Sequence, residues 1–152
     1  MAQSRNEHRR EDAVDLYGRD VYREPASGTI TIAHIVYALH TLSILTGLVT
    51  AGLTIAGAFV FSWPSILAVV INYIFRSDAR ATYLESHFSW QINTFWFALL
   101  WLVVIYLVGM PLMMLGIGIF VFIIGLLVLG IWVAYRIFAG WRRLARHEPI
   151  PF

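Results

Sequence analysis

The chain has 152 residues, of which 59% are hydrophobic and only 13% charged, with a formal net charge of +2 and no cysteine. Soluble domains carry roughly 45–50% apolar and about 25% charged residues, so this composition points away from a soluble domain, and the length allows one small domain. The lack of cysteine excludes disulfides and thiolate metal sites.

Residues 1–29 form a polar tail that mixes Arg5, Arg9, Arg10, Arg19 and Arg23 with Glu7, Glu11, Asp12, Asp15, Asp20 and Glu24. Such a segment buries too little apolar surface to offset its ordering entropy, which predicts disorder or, over 13–22, a loose amphipathic helix. It holds no apolar run, so the first span is expected to be an uncleaved anchor.

From Ile30 to Phe75, and again from Phe88 to Tyr135, there is no Asp, Glu, Lys or Arg. A hydrocarbon core about 30 Å thick needs about 20 apolar helical residues, and each stretch exceeds twice that length. Each can therefore cross, turn and cross back. The expected fold is an all-α integral membrane protein, a four-helix transmembrane bundle of two hairpins with spans at about 32–55, 59–75, 90–108 and 112–138. The bundle covers 30–148, and 149–152 form a short C-terminal tail. Gly52, Gly57 and Trp63-Pro64 are the candidate breakers of the first hairpin. If the turn lies at Ser62-Trp63-Pro64, the second helix is too short to span alone. Ser77 or Asp78 is placed to cap a turn of the connection 76–89. Gly109-Met110-Pro111 reads as the turn of the second hairpin, and the last helix is expected to run on to Arg146, ended by Pro149 and Pro151.

All eleven basic residues are Arg, and they lie in the tail, the 76–89 connection and the C-terminal segment. Positive charge beside apolar spans signals orientation rather than nucleic-acid binding, and it predicts both termini and the connection in the cytoplasm. Three spans would leave one Arg cluster outside, so the arithmetic favours four.

Ser43, Thr46, Gly47, Thr50, Thr54 and Gly57 recur every three or four residues on the first span. Close helix packing with hydroxyls bonding across is the plain reading, and a polar conduction wall the functional one. His34 and His40, six apart, point to different faces, which argues against joint metal ligation. His40, deeper in the span, should find a partner inside the bundle. Asn72, Gln91 and Asn93 are expected to bridge the second and third spans or to face a wet vestibule. Glu85 and His87 could form an acid–base pair or hold a metal, yet no third ligand, nucleophile or phosphate loop accompanies them. An interfacial junction anchored by Phe88 and Trp90 is the alternative. Arg136, Trp141, Arg142, Arg143 and Arg146 mark a helix leaving the membrane at the headgroup level. No metal, cofactor or catalytic residue is assigned.

The run Ile71-Asn72-Tyr73-Ile74-Phe75-Arg76-Ser77-Asp78-Ala79-Arg80, then Leu84-Glu85-Ser86-His87-Phe88-Ser89-Trp90-Gln91-Ile92-Asn93-Thr94-Phe95-Trp96, resembles a bacterial family of small inner-membrane proteins. That family is distantly similar to the channel-forming component of the plastid inner-envelope protein translocon. Tyr135-Arg136-Ile137 and Gly140-Trp141 fit its closing helix. Members commonly carry Arg where Asn93 stands here. The resemblance implies a bacterial inner membrane, a helical bundle and a translocation-related role. It supplies no activity for any residue.

Three functions follow as expectations. The first is a non-enzymatic scaffold or accessory subunit that contacts lipid, other membrane proteins or copies of itself. The second is a small oligomeric channel or transporter. The third is an interfacial enzyme built on Glu85 and His87.

Overall fold

A computed structural model describes residues 22–51 and 55–151. Among these residues five helices follow in chain order: α1 Ser27–Ala51, α2 Ile55–Phe61, α3 Trp63–Phe75, α4 Leu84–Met113 and α5 Gly118–Ala145. No strand occurs among the described residues. The segments Ser27–Leu48, Leu84–Met113 and Gly118–Ala145 are long and apolar enough to cross a membrane. The expected tail helix over 13–22, apart from Tyr22, and Gly52 as a breaker, with Thr50 and Thr54 as packing residues, fall on positions or side chains outside that description.

The first return is broken, so the single helix expected over 59–75 is corrected. Ser62 is extended (φ −75°, ψ 147°), and Pro64 stands in the first turn of α3. Proline lacks an N–H and its ring clashes with the carbonyl four residues back, so α2 cannot continue through it. In the first turn the missing donor is an orphan in any case, which lets Pro64 start α3. At 13 residues, α3 rises only about 20 Å and falls short of a hydrocarbon core.

The second hairpin turns later than the sequence suggests. Gly109-Met110-Pro111 lies inside α4, with Pro111 in its last turn. The reversal is at 114–117, where Gly116 takes φ +72°. Gly109 serves packing instead: the Phe122 ring lies 2.8 Å from where its Cβ would stand. Ile105 packs against Gly125 in the same way, at 3.0 Å, and Tyr106 meets Phe122 edge-on with centroids 5.0 Å apart. Together these contacts fix the antiparallel register of α4 on α5. Outward side chains there are apolar and bare, Leu107 at 69% exposure and Met114 at 92%. In water that surface would be unfavourable; against lipid it is neutral.

The Ser and Thr hydroxyls described on the α1 stripe bond along their own helix. Thr41, Ser43 and Thr46 donate to the carbonyls of Tyr37, Leu39 and Leu42, each one turn back. Ser43 and Gly47 are buried while Thr46 is exposed, so the stripe is not one packing face. Gly57 has nothing within 4 Å of a built Cβ and marks no close approach.

At the start of α4, Thr82 does the work expected of Ser77 or Asp78. Its hydroxyl donates to Ala79 O at 2.7 Å and accepts from Leu84 N at 3.2 Å. Ser77 donates to the Asp78 carboxylate instead. At the far end α5 closes through a Schellman arrangement: Glu148 N bonds Arg143 O, His147 N bonds Leu144 O, and His147 takes the left-handed φ of 55°. That geometry, rather than Pro149 alone, reverses the chain and sends the last residues back toward α4.

Candidate functional site

His87 sits at the centre of the polar end of the bundle, fully buried on the inner face of α4. Its Nε2 lies 2.8 Å from Glu148 O, and its Nδ1 lies 3.1 Å from the Tyr37 hydroxyl. A carbonyl can only accept, so Nε2 carries the proton, and Nδ1 then accepts from Tyr37. One imidazole thus ties together α1, α4 and the C-terminal segment. Ile150 N adds a bond to Ser86 Oγ at 2.9 Å, and Arg143 reaches Pro149 O at 3.4 Å. The Ile150 side chain is buried. The segment after α5 is therefore a strap docked across the first turn of α4.

Tyr37 reaches His87 because Gly140 has no side chain: a Cβ there would collide with the Tyr37 hydroxyl. The phenol ring stacks on Trp141 (6.3 Å, 11°), and Trp141 Nε1 donates to His34 Nδ1 at 3.1 Å. Trp141 is thus engaged within the bundle rather than turned wholly to headgroups. Arg136 behaves likewise. Its Nε donates to Thr94 Oγ1 at 2.8 Å, and its guanidinium lies 3.5 Å from the centroid of the Trp90 ring. Trp90 Nε1 returns a bond to Arg136 O at 3.1 Å. A half-buried cation held this way is stabilised by the ring face and by a hydroxyl acceptor. Arg142, Arg143 and Arg146 remain exposed.

Glu85 and His87 do not form a pair. Two positions on a helix are separated by about 200°, which puts them on opposite faces. Glu85 is exposed, and its Oε2 accepts from Ala81 N at 2.9 Å, holding a residue whose φ is +60°. The expected amide bridge between the second and third spans is not formed either. Asn72 and Gln91 are fully buried, and among the described residues neither side chain has a partner in good hydrogen-bond geometry, although Gln91 lies near enough to Tyr37 to interact with it. Asn93 points outward. His40 does find a partner, Ser65 Oγ at 3.0 Å, and stacks on Phe59 at 4.9 Å, but its Nε2 has none. Outside the spans, Tyr83 packs edge-on against His87 and His147, and burial, then the Glu24 carboxylate, push its phenol above the ordinary value. No group of three or more His, Cys, Asp or Glu that could hold a metal is present among the described residues.

The sequence assigns no contact to Tyr37, Thr94, Ser86, Gly140 or the strap. A glycine inside an apolar helix beside Trp141 was the available signal for Tyr37's close approach.

Helices and surface together define an all-α protein with three helices able to cross a membrane. No protein-family model, curated protein or solved structure matches the chain.

Proposed function

We propose that this chain is a non-enzymatic protein of the bacterial inner membrane that acts by contact, as scaffold or accessory subunit. Both termini and the 76–89 connection face the cytoplasm, and the broken α2–α3 pair serves as the second of four crossings. One observation carries the reading. The polar residues that could have formed a reactive site are spent on assembly: His87 on Tyr37 and the strap, Glu85 on the Ala81 amide. Between α4 and α5 an apolar crevice of about 450 Å³, walled by Trp101 and Trp132 and floored by Gly125, offers a contact surface at membrane depth.

A second reading, a small channel, gains support from the buried amides. Asn72 and His40 Nε2 are polar groups in the core with no hydrogen-bond partner among the described residues, and Gln91 has only the neighbouring Tyr37 hydroxyl near it there. In a bilayer such groups are satisfied by a neighbour or by water.

Mild-detergent purification of the full chain separates the two. A stoichiometric second protein is expected; a self-assembled ring conducting ions in planar bilayers would replace the accessory reading with the channel. Reporter fusions after Phe152 and within 76–89 should behave as cytoplasmic, and a periplasmic signal from either would remove the four-crossing arrangement.

A further inference from the structure

Where α3 ends and α4 begins, Tyr73, Arg76, Ser77, Arg80 and Glu85 line an open cleft of about 350 Å³. Ligand sites start at about 300 Å³, so the space suits a small polar group. Its two cations are uncommitted: among the described residues neither Arg76 nor Arg80 makes a side-chain hydrogen bond or ion pair. Tyr73 is set as a donor. Its oxygen accepts from Trp96 Nε1 at 2.9 Å, which leaves the hydroxyl proton to be given elsewhere. Glu85 spends Oε2 on Ala81 N and keeps a second oxygen. The cleft thus presents two guanidinium groups and one carboxylate.

We propose that this cleft binds the phosphoethanolamine headgroup of a membrane lipid, with the phosphate on Arg76, Arg80 and Tyr73 and the ammonium on Glu85. Guanidinium groups match phosphate oxygens in a planar fork. A site meant for a purely anionic group gains nothing from a carboxylate in its wall, whereas a zwitterion uses both signs. A primary ammonium donates hydrogen bonds to that carboxylate; the quaternary ammonium of phosphatidylcholine has none to donate. The surroundings select a lipid over a free solute. Tyr73 and Trp96 are exposed aromatics of the kind that sit at headgroup level. Below them Ile66 and Val70 continue the Tyr73 face of α3 as exposed apolar surface along which an acyl chain can lie.

The test uses the full chain, delipidated in detergent and titrated with phosphatidylethanolamine, phosphatidylglycerol and phosphatidylcholine of equal chain length, with bound lipid counted by native mass spectrometry. Phosphatidylethanolamine is expected to bind about tenfold more tightly than either, and R76Q/R80Q to remove about tenfold of that affinity. Glu85→Gln keeps an acceptor for Ala81 N, so this variant folds; it is expected to bring phosphatidylethanolamine and phosphatidylcholine to parity. Phosphatidylglycerol binding as tightly as phosphatidylethanolamine to the unaltered chain, or an unchanged preference in Glu85→Gln, overturns the assignment. Soluble phosphoethanolamine and inorganic phosphate are the competitors. Displacement of the lipid by phosphoethanolamine at equal concentration overturns the lipid as source in favour of the free compound. Equal displacement by phosphate alone overturns the zwitterion site altogether.

Discussion

The α1–α3 half and the α4–α5 half both carry glycine and proline inside long apolar stretches, and they use them in opposite ways. In the first half Pro64 divides a return into two short helices, and Gly57 faces open space. In the second, Pro111 rides in the last turn of an unbroken helix, and Gly109, Gly118 and Gly125 lie under neighbouring atoms. A residue type therefore does not carry its meaning alone. What decides is its distance from a helix end and what packs over it.

The largest expected effect comes from setting one glycine against another. A Cβ on Gly118 would collide with backbone, Met113 N and Gly109 O, which cannot rotate away as a side chain can. Gly118→Ala should cost about 3 kcal/mol, the upper end of overpacking penalties. Gly57→Ala, with nothing within 4 Å, should instead stabilise by about 0.5–1 kcal/mol through helix propensity. Thermal unfolding in one detergent measures both. Equal shifts from the two would mean that the turn after α4 is not as tight as described.

His87 comes next, because it joins the two halves. His87→Phe keeps an aromatic ring but strands the buried Tyr37 hydroxyl and releases Glu148 O, at about 1–3 kcal/mol for the buried group left unpaired. Amide exchange at Ile150 should rise as the strap loosens. Unchanged protection there would show that Ser86 and Arg143 hold the strap without His87.

The membrane character was legible from charge alone: two long uncharged stretches leave α-helix as the one economical way to satisfy the backbone in lipid. Trp63-Pro64 stands among the candidate breakers in the sequence, yet the span expected over 59–75 runs through it, and the structure breaks that span at Ser62. What could not be read depends on partners distant in sequence. Gly109-Met110-Pro111 looked like a turn because nothing in the sequence tells that Phe122 needs the room at Gly109. The hydroxyls of Ser43 and Thr46 look suited to bridging, but the carbonyls one turn back are always within reach and accept from them. At the site, Glu85 and His87 stood out as chemistry-bearing neighbours. Helical geometry separates them, and His87's real partners, Tyr37 and Glu148, lie 50 and 61 positions away.

The smallest expected effect is also the finest test of the comparison, since it sets the two prolines against each other with opposite signs. Pro111 withholds a backbone N–H that the Leu107 carbonyl would otherwise accept in the last turn of α4. Pro111→Ala restores that donor, a gain of about 0.5–1.5 kcal/mol, and gives back about 0.4–1 kcal/mol of unfolded-chain entropy, for a small net stabilisation. Pro64 withholds nothing, because the first-turn N–H groups of α3 lack intrahelical acceptors anyway. Pro64→Ala therefore loses the entropic advantage and some buried ring contact without recovering a bond, and should destabilise by roughly 1 kcal/mol. If both variants move the melting temperature the same way, the prolines do not differ by position in their helices. The contrast between the two halves would then rest on the glycines alone.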